Sequence, residues 1–293
     1  MDKQIILGTG LNGLVGSKFV SDFADHYQFD NLDLRDSQRP VDITNQEQVD
    51  RVIAQSKAKF LIHFAAFTNV TAAFEQKEDK KGLCYQVNVE GTRNIALACQ
   101  KFNKQLIHIS TAYVFDGQKE TLYTEEDLLS PIEWYGQTKA WAEEIVQATD
   151  NLTWTILRID QPFRSDPFPK LDVAWKLIKG MRAGKIHPQF SDHFFGPSYI
   201  DDFAKVLDAV IRLKLTGLFH ATSGEQWTDF AFAQALSQKL KIDYQVEAGS
   251  LAKYLKTSQR PYQKNTALSV EKLKSVLDFD LKSINSAISE IRA

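Results

Sequence analysis

Residues 3–19 read KQIILGTGLNGLVGSKF. Ile5, Ile6 and Leu7 form a short unbroken apolar run, the pattern of a strand buried on both faces. Gly8, Gly10, Gly13 and Gly16 follow at once, and Leu14, Val15, Phe19, Val20 and Phe23 then recur at helical spacing. Strand, glycine turn and helix in this order make a dinucleotide phosphate site. The glycines let the backbone turn tightly and approach a pyrophosphate, and the helix N-terminus favours its charge. Two registers fit: Gly8, Gly10 and Gly13, or Gly10, Gly13 and Gly16. The other phosphate loop, G-x-x-x-x-G-K-[ST], is absent, because Gly16 is followed by Ser17 and only then Lys18.

From there the chain alternates. A second strand ends at Leu32-Asp33-Leu34-Arg35. Asp33 lies 20 residues past Gly13, where an acid accepts hydrogen bonds from an adenosine ribose. Arg35, two residues on, suits a 2′-phosphate, so NADP and NAD both remain open. Asp42 can reach an adenine amino group or serve as a turn residue. Thr44 or Asn45 caps a helix with Val49, Val52 and Ile53 inward. Residues 60–66 are a third buried strand ending in Ala65 and Ala66, small enough to let backbone approach a cofactor. His63 sits inside that apolar run and reads as a core residue. Residues 69–81 are a polar surface connection, followed by a helix over 83–102. Residues 105–109 form a fourth strand that runs into Ser110 and Thr111. In an open parallel sheet ligands lie beyond the carboxyl ends of the strands, which puts Thr111 where chemistry occurs. A helix opens near Trp134, and a fifth strand covers 153–157.

This alternation predicts an α/β fold: a doubly wound parallel sheet of Rossmann type. Beyond Arg158 the pattern changes. Three prolines between residues 160 and 172 mark a loop, and helices follow over 173–181, 200–213 and 228–239, with a late strand at 218–221 and two last helices. Residues 1–159 and 196–222 are read as the dinucleotide-binding domain. Residues 160–195 and 223–293 are read as a smaller, largely C-terminal substrate-binding lobe, with substrate in the cleft between.

The totals narrow the class. The chain has 293 residues, 43% hydrophobic and 25% charged, with a net charge of -2, so no basic surface points to nucleic acid. Two cysteines give neither a disulfide framework nor a metal spacing, and no metal is expected. No apolar run approaches membrane-spanning length, and a strand starting near residue 4 leaves no room for a leader segment. The expected setting is the cytoplasm.

Tyr135 and Lys139 lie four apart on a predicted helix and share a face. A nearby ammonium lowers a phenol's pKa, and a phenol so tuned exchanges a proton with an alcohol or carbonyl. Lys139 can also hold a nicotinamide ribose. Thr111 can hydrogen-bond the reacting oxygen.

With these residues assembled, the chain resembles an extended short-chain dehydrogenase/reductase, most closely the dTDP-4-dehydrorhamnose reductase branch. The likeness is carried by residues 9–16 (TGLNGLVG), which favour the second glycine register, by 64–70 (FAAFTNV), 87–92 (VNVEGT), 110–117 (STAYVFDG) and 135–139 (YGQTK). Weaker landmarks are 195–199 and 260–268. The resemblance implies NAD(P)H-dependent reduction of a keto sugar carried on a nucleotide, with Tyr135 as proton donor, Lys139 lowering its pKa and Thr111 orienting the carbonyl. It further implies cofactor contacts from Gly10, Asn12, Gly13, Leu14, Gly16, Asp33, Arg35, Asp42, Ile43, Ala65, Ala66, Tyr135 and Lys139, and substrate contacts from Thr68, Gln161 and Asp172. A homodimer through the helices over 83–102 and 135–148 is implied by the same analogy. The sequence departs from the branch at Ala112, where an acid is usual, at Thr71 and Phe74, and across Ile159-Asp160-Gln161-Pro162-Phe163. These departures gather on the substrate side. A nucleotide-sugar epimerase or dehydratase with bound NAD, and a non-catalytic dinucleotide-binding regulatory subunit, are the competing readings.

Overall fold

The computed structural model describes residues 3–34 and 40–293. Arg35 lies outside the described residues. Six parallel strands form the central sheet: β1 (Gln4–Thr9), β2 (Tyr27–Leu32), β3 (Phe60–His63), β4 (Gln105–Thr111), β5 (Trp154–Ile159) and a sixth strand, Gly217–His220. Their order is sixth-β5-β4-β3-β1-β2. The order reverses between β1 and β3, so the ligand crevice belongs at the carboxyl ends of those two strands.

Strand side chains alternate between faces, and each face of this sheet has its own helix layer. Ile6, Ile62, Ile107 and Leu157 point one way, onto Phe19 of α1 (Gly16–Phe23) and onto Phe203, Leu207 and Val210 of the helix Ile200–Leu213. Leu7, Leu61, Leu106 and Ile156 point the other way. They meet Val49, Val52 and Ile53 of α2 (Gln46–Gln55) and Ile95 and Cys99 of α5 (Thr92–Lys101). Between β3 and α5 lie α3 (Val70–Phe74), the short α4 (Leu83–Tyr85) and a π-helical turn, Gln86–Gly91. The stretch expected as one continuous helix over 83–102 is therefore α-helical, then π-helical, then α-helical. Such turns gather at functional sites, and Asn88 sits inside this one. α6 (Trp134–Ala148) covers β4 and β5.

Capping residues set the helix starts. Asn45 accepts from the Gln48 amide at α2, Asn69 from Ala72 at α3, and Thr228 from Ala231 at the helix Asp229–Lys239.

A third apolar cluster lies away from the sheet. Phe163, Trp175, Ile178, Phe195, Phe232 and Ile288 meet there, drawn from the region 162–195 and from two later helices. The chain then returns to the sheet: Leu273 is buried on its first face, with Leu277, Phe279 and Leu281 packed beside it. The C-terminal region holds three short helices, Leu251–Tyr254, Glu271–Lys274 and Ile284–Ser289, rather than two. Residues 256–264 are polar and contain Pro261, so no apolar stripe carries a helix across them.

Candidate active site

The glycine turn takes the second register. Gly10 has φ +67°, and a Cβ there would lie 3.0 Å from the Ala65 amide nitrogen. A Cβ on Gly16 would lie 2.8 Å from both the Gly10 carbonyl oxygen and the Leu11 Cα. At Gly8 a Cβ would meet only the Leu11 side chain. The Gly13 amide closes the turn on the Gly10 oxygen at 2.9 Å, while Asn12 and Gly13 themselves stay exposed. The Leu11 amide is held by Asn31 Oδ1 at 3.3 Å. An exposed turn at a helix start, with small residues Ala65 and Ala66 of partial exposure beside it, is a cradle that fits a pyrophosphate.

Asp33 follows β2 at its carboxyl end, next to that turn, and its carbonyl accepts from the Val41 amide. Asp42 sits in a turn: its Oδ1 accepts from the Thr44 amide at 2.9 Å and from the Thr44 hydroxyl at 2.8 Å. Ile43 is buried, and its carbonyl accepts from Asn94.

Behind the turn runs a dry hydrogen-bond chain. The Ala65 amide donates to Thr9 Oγ1 at 3.1 Å, and Thr9 Oγ1 lies 2.7 Å from His63 Nδ1. His63 Nε2 is 3.1 Å from Thr92 Oγ1, whose proton goes to the Asn88 carbonyl at 2.7 Å. The Thr92 proton is spent on Asn88, so His63 must carry a proton on Nε2, and the neutral form so protonated satisfies all four contacts. Burial and the nearby Lys139 charge push its pKa down to about 3, consistent with that form. His63 is a satisfied core residue.

Thr111, Tyr135 and Lys139 converge at the end of β4. Thr111 and Tyr135 are both buried and side by side, and Thr111 Oγ1 accepts from the Tyr113 amide at 3.3 Å. The Tyr135 ring also packs edge-on against Tyr113, with centroids 5.6 Å apart. α6 is pressed tightly onto this corner: a Cβ on Gly136 would lie 2.1 Å from the Tyr113 carbonyl oxygen. Asn88 fixes the other wall. Its Oδ1 accepts from the Phe67 amide at 2.8 Å, and its Nδ2 donates to Thr138 Oγ1 at 3.0 Å.

One electrostatic expectation is corrected. Lys139 does not depress the Tyr135 phenol. Its Nζ donates instead to the Ile109 carbonyl at 2.8 Å and to His108 Nε2 at 3.1 Å. Burial dominates at Tyr135 and raises its pKa; the Thr111 hydrogen bond opposes this, and Cys84 and Asp160 add to it. Burial also pulls Lys139 down, to about 8, against the pull of Glu143 and Cys84. The protein alone therefore holds a neutral phenol beside an ammonium anchored to the sheet.

The substrate-side residues divide. Thr68 is exposed and accepts from Lys170 Nζ at 2.8 Å, a contact between the loop after β3 and the loop after β5. Gln161 follows β5 with φ +36°, an uncommon backbone state for a non-glycine residue. The expectation that Asp172 faces a substrate is corrected. Its Oδ1 caps the helix Val173–Arg182 on the Trp175 amide, and its Oδ2 accepts from the Arg164 amide. A loop that must start a helix inside an apolar lobe needs both acceptors there.

Several residues of this region were not singled out from sequence. Asp160 is fully buried beside the Thr111–Tyr135 pair. Arg260 donates to Glu133, just before α6, at 2.8 Å and to Thr71 at 3.2 Å, joining three segments at the cleft. Arg164 reaches back from the loop after β5 to the Leu14 carbonyl and Ser17 hydroxyl. Asp160 stood among the departures from the family pattern and Arg260 opened a weak landmark, but neither was given a role; nothing local marks Arg164, because its partners are distant in sequence. Ala112 is buried in an apolar cluster with Phe115 and Leu268, where an ionised acid would be costly.

A glycine cradle at the switch point and a Thr–Tyr pair with a lysine one helical turn away define an extended short-chain dehydrogenase/reductase. Comparison with known proteins narrows this. A family model described as RmlD substrate binding domain matches residues 4–293, and the chain belongs to that family. It is 30% identical over 301 residues to dTDP-4-dehydrorhamnose reductase from Aggregatibacter actinomycetemcomitans, covering 98% of each chain. It is 27% identical over 252 residues to methionine adenosyltransferase 2 subunit beta from Rattus norvegicus, covering 81% of this chain and 72% of that one. Its fold matches the crystal structure of dTDP-4-dehydrorhamnose reductase from Bacillus anthracis in complex with NADP, with a TM-score of 0.88 at 24% identity over 99% of each chain.

Proposed function

We propose that this protein is an NAD(P)H-dependent reductase of a nucleotide-linked keto sugar, similar in activity to the dTDP-4-dehydrorhamnose reductases. The observation that carries this reading is the buried Thr111–Tyr135 pair at the end of β4, beside an open glycine turn. Gly10, Asn12, Gly13, Leu14, Gly16, Ala65 and Ala66 hold the dinucleotide; Asp33 takes the adenosine ribose, Ile43 borders the adenine, and Lys139 takes the second ribose. When bound there, NADPH or NADH supplies the hydride.

The chain's own residues do the rest. Thr111 donates to the carbonyl oxygen of the sugar and fixes its distance from Tyr135. Tyr135, held neutral by burial, gives its proton to that oxygen as negative charge develops on it. Lys139 uses two of its three N–H donors on the Ile109 carbonyl and His108, which leaves one for a ligand. Thr68 and Gln161 border the sugar. Arg260 and Lys170 hold neighbouring loops over the cleft, excluding water.

In this reading residues 1–159 and 196–222 carry the dinucleotide, and 160–195 with 223–293 carry the sugar. The setting is the cytoplasm; no helix of the described residues is long and apolar enough to cross a membrane. The helices over 83–102 and 135–148, with Leu97 exposed on the first, form the homodimer face.

The likeness to a methionine adenosyltransferase subunit keeps a regulatory role in view, but a dinucleotide-binding subunit has no use for a buried Thr–Tyr pair at the crevice. Incubation with NADPH, then NADH, and a panel of nucleotide-linked 4-keto sugars tests the reading. Loss of nicotinamide absorbance with a new sugar hydroxyl in the product supports it. Dinucleotide binding with no turnover of any keto sugar contradicts it.

A further inference from the structure

We infer that Asp160 selects the substrate: its free carboxylate oxygen accepts a hydrogen bond from a hydroxyl on the sugar carbon beside the carbonyl that is reduced. The inference rests on the keto-sugar reading of the site.

Position comes first. β5 ends at Ile159, which pairs in register with Thr111 on β4. Neighbouring strands lie about 4.8 Å apart, so Asp160 emerges at the same edge of the sheet as Thr111, one strand away. Its charge is felt by Tyr113 and Tyr135, and it feels His193 in turn.

The hydrogen bonds of the carboxylate are lopsided. Oδ2 accepts from the Gly196 amide at 3.0 Å and from Thr266 Oγ1 at 2.6 Å. Oδ1 is buried and, among the described residues, has no hydrogen-bond partner. The fold thus uses one oxygen to fasten two loops, while the other has only the neighbouring Gln161 amide close to the carboxylate, outside hydrogen-bond geometry. Buried polar atoms are nearly always paired, and an exception calls for an explanation such as a ligand. The strained backbone of the next residue, Gln161, is the kind of cost that persists where a site requires it.

The chemistry of the missing partner follows. A carboxylate only accepts, so the ligand must donate. Among the described residues no group of three or more His, Cys, Asp or Glu side chains could hold a metal ion, and the donor that the keto-sugar reading supplies is a substrate hydroxyl. Burial pushes the Asp160 pKa up to about 6, so the carboxylate is ionised and accepting at pH 8. A sugar with a deoxy carbon at that place leaves the oxygen unpaired in a dry cleft.

The test is titration calorimetry at pH 8 on the full chain saturated with NADP. The probes are two dTDP-linked 6-deoxyhexoses that differ only in a hydroxyl at C3, next to the reduced C4. The wild type is expected to bind the hydroxylated sugar at least about thirtyfold more tightly, the scale set by leaving a charged acceptor unpaired. In Asp160→Asn the amide oxygen keeps the Gly196 and Thr266 contacts, and the NH₂ group replaces the free acceptor. The ratio then falls to about threefold or less. Thr266→Val loses a loop contact but keeps the free oxygen, so it retains the wild-type ratio even with a lowered unfolding temperature.

A wild type that binds both sugars equally, or neither, overturns the inference, as does an Asp160→Asn protein with an unchanged ratio. Turnover separates this from the wider reading. NADPH oxidation with a flat binding ratio removes Asp160 alone. A clear ratio without any oxidation supports Asp160 as a ligand contact and defeats the reductase.

Discussion

Tyr135 and Asp160 show how burial, more than proximity of opposite charge, sets the chemistry of single residues here. Sequence spacing put Lys139 one turn from Tyr135 and led to an expectation of a lowered phenol pKa. The structure sends that ammonium to the Ile109 carbonyl, and the phenol stays protonated. Spacing along a helix gives a shared face, not the direction of a long side chain. Asp160 carries a stability signature of its own. Its pKa is raised from 3.8 to about 6, so the folded state holds a proton that the unfolded chain releases. Its contribution to stability is fully present below about pH 4 and is lost as pH rises through 6. Relative to Asp160→Asn, the wild type should lose roughly 3 kcal/mol between pH 4 and pH 8. Denaturant unfolding of both proteins at the two pH values checks this; a constant difference contradicts it.

Elements matter here through close approach. Gly136→Ala would force a Cβ against the Tyr113 carbonyl oxygen, an atom of the backbone that cannot swing aside. α6 must then move, carrying Tyr135 off Thr111. The expected result is a fall in kcat of about 10²-fold or more with dinucleotide affinity retained. Gly16→Ala acts at the other end of the site, on the Gly10 carbonyl and Leu11 backbone. It should abolish measurable dinucleotide binding and cost about 1–3 kcal/mol of stability. Calorimetry and thermal unfolding read both variants. The elements were largely legible in the sequence, because apolar runs and glycine spacing are local signals. β1 with its turn, the Asn45 cap and the Thr228 cap stand where pattern placed them. The π-helical turn at Gln86–Gly91 was not legible: a change in hydrogen-bond register leaves no mark on apolar periodicity.

Over the whole molecule, buried charge ties layers that apolar packing alone would leave free to slide. Glu143 of α6 pairs with Arg158 of β5 at 2.6 Å, both fully buried, and also accepts from Ser110 of β4. Arg158 further reaches His220 of the sixth strand. Removing one partner leaves an uncompensated buried charge, so Glu143→Ala should cost about 3–5 kcal/mol, measured as ΔG of unfolding in urea. These long-range pairs, like Arg260 with Glu133 and Lys170 with Thr68, join residues that no sequence window contains. They explain why the cofactor side of the site was readable and the substrate side much less so. The cofactor turn is a contiguous motif, whereas the sugar cleft is assembled from loops 100 or more residues apart, such as those bearing Thr68 and Lys170.

The central claim is that the Tyr135 hydroxyl delivers the proton in reduction of a keto sugar. Single-turnover loss of nicotinamide absorbance, in wild type and Tyr135→Phe saturated with NADPH, measures it most directly. The account predicts a rate at least about 10²-fold lower in Tyr135→Phe with NADPH affinity unchanged. Equal rates in the two proteins would contradict it.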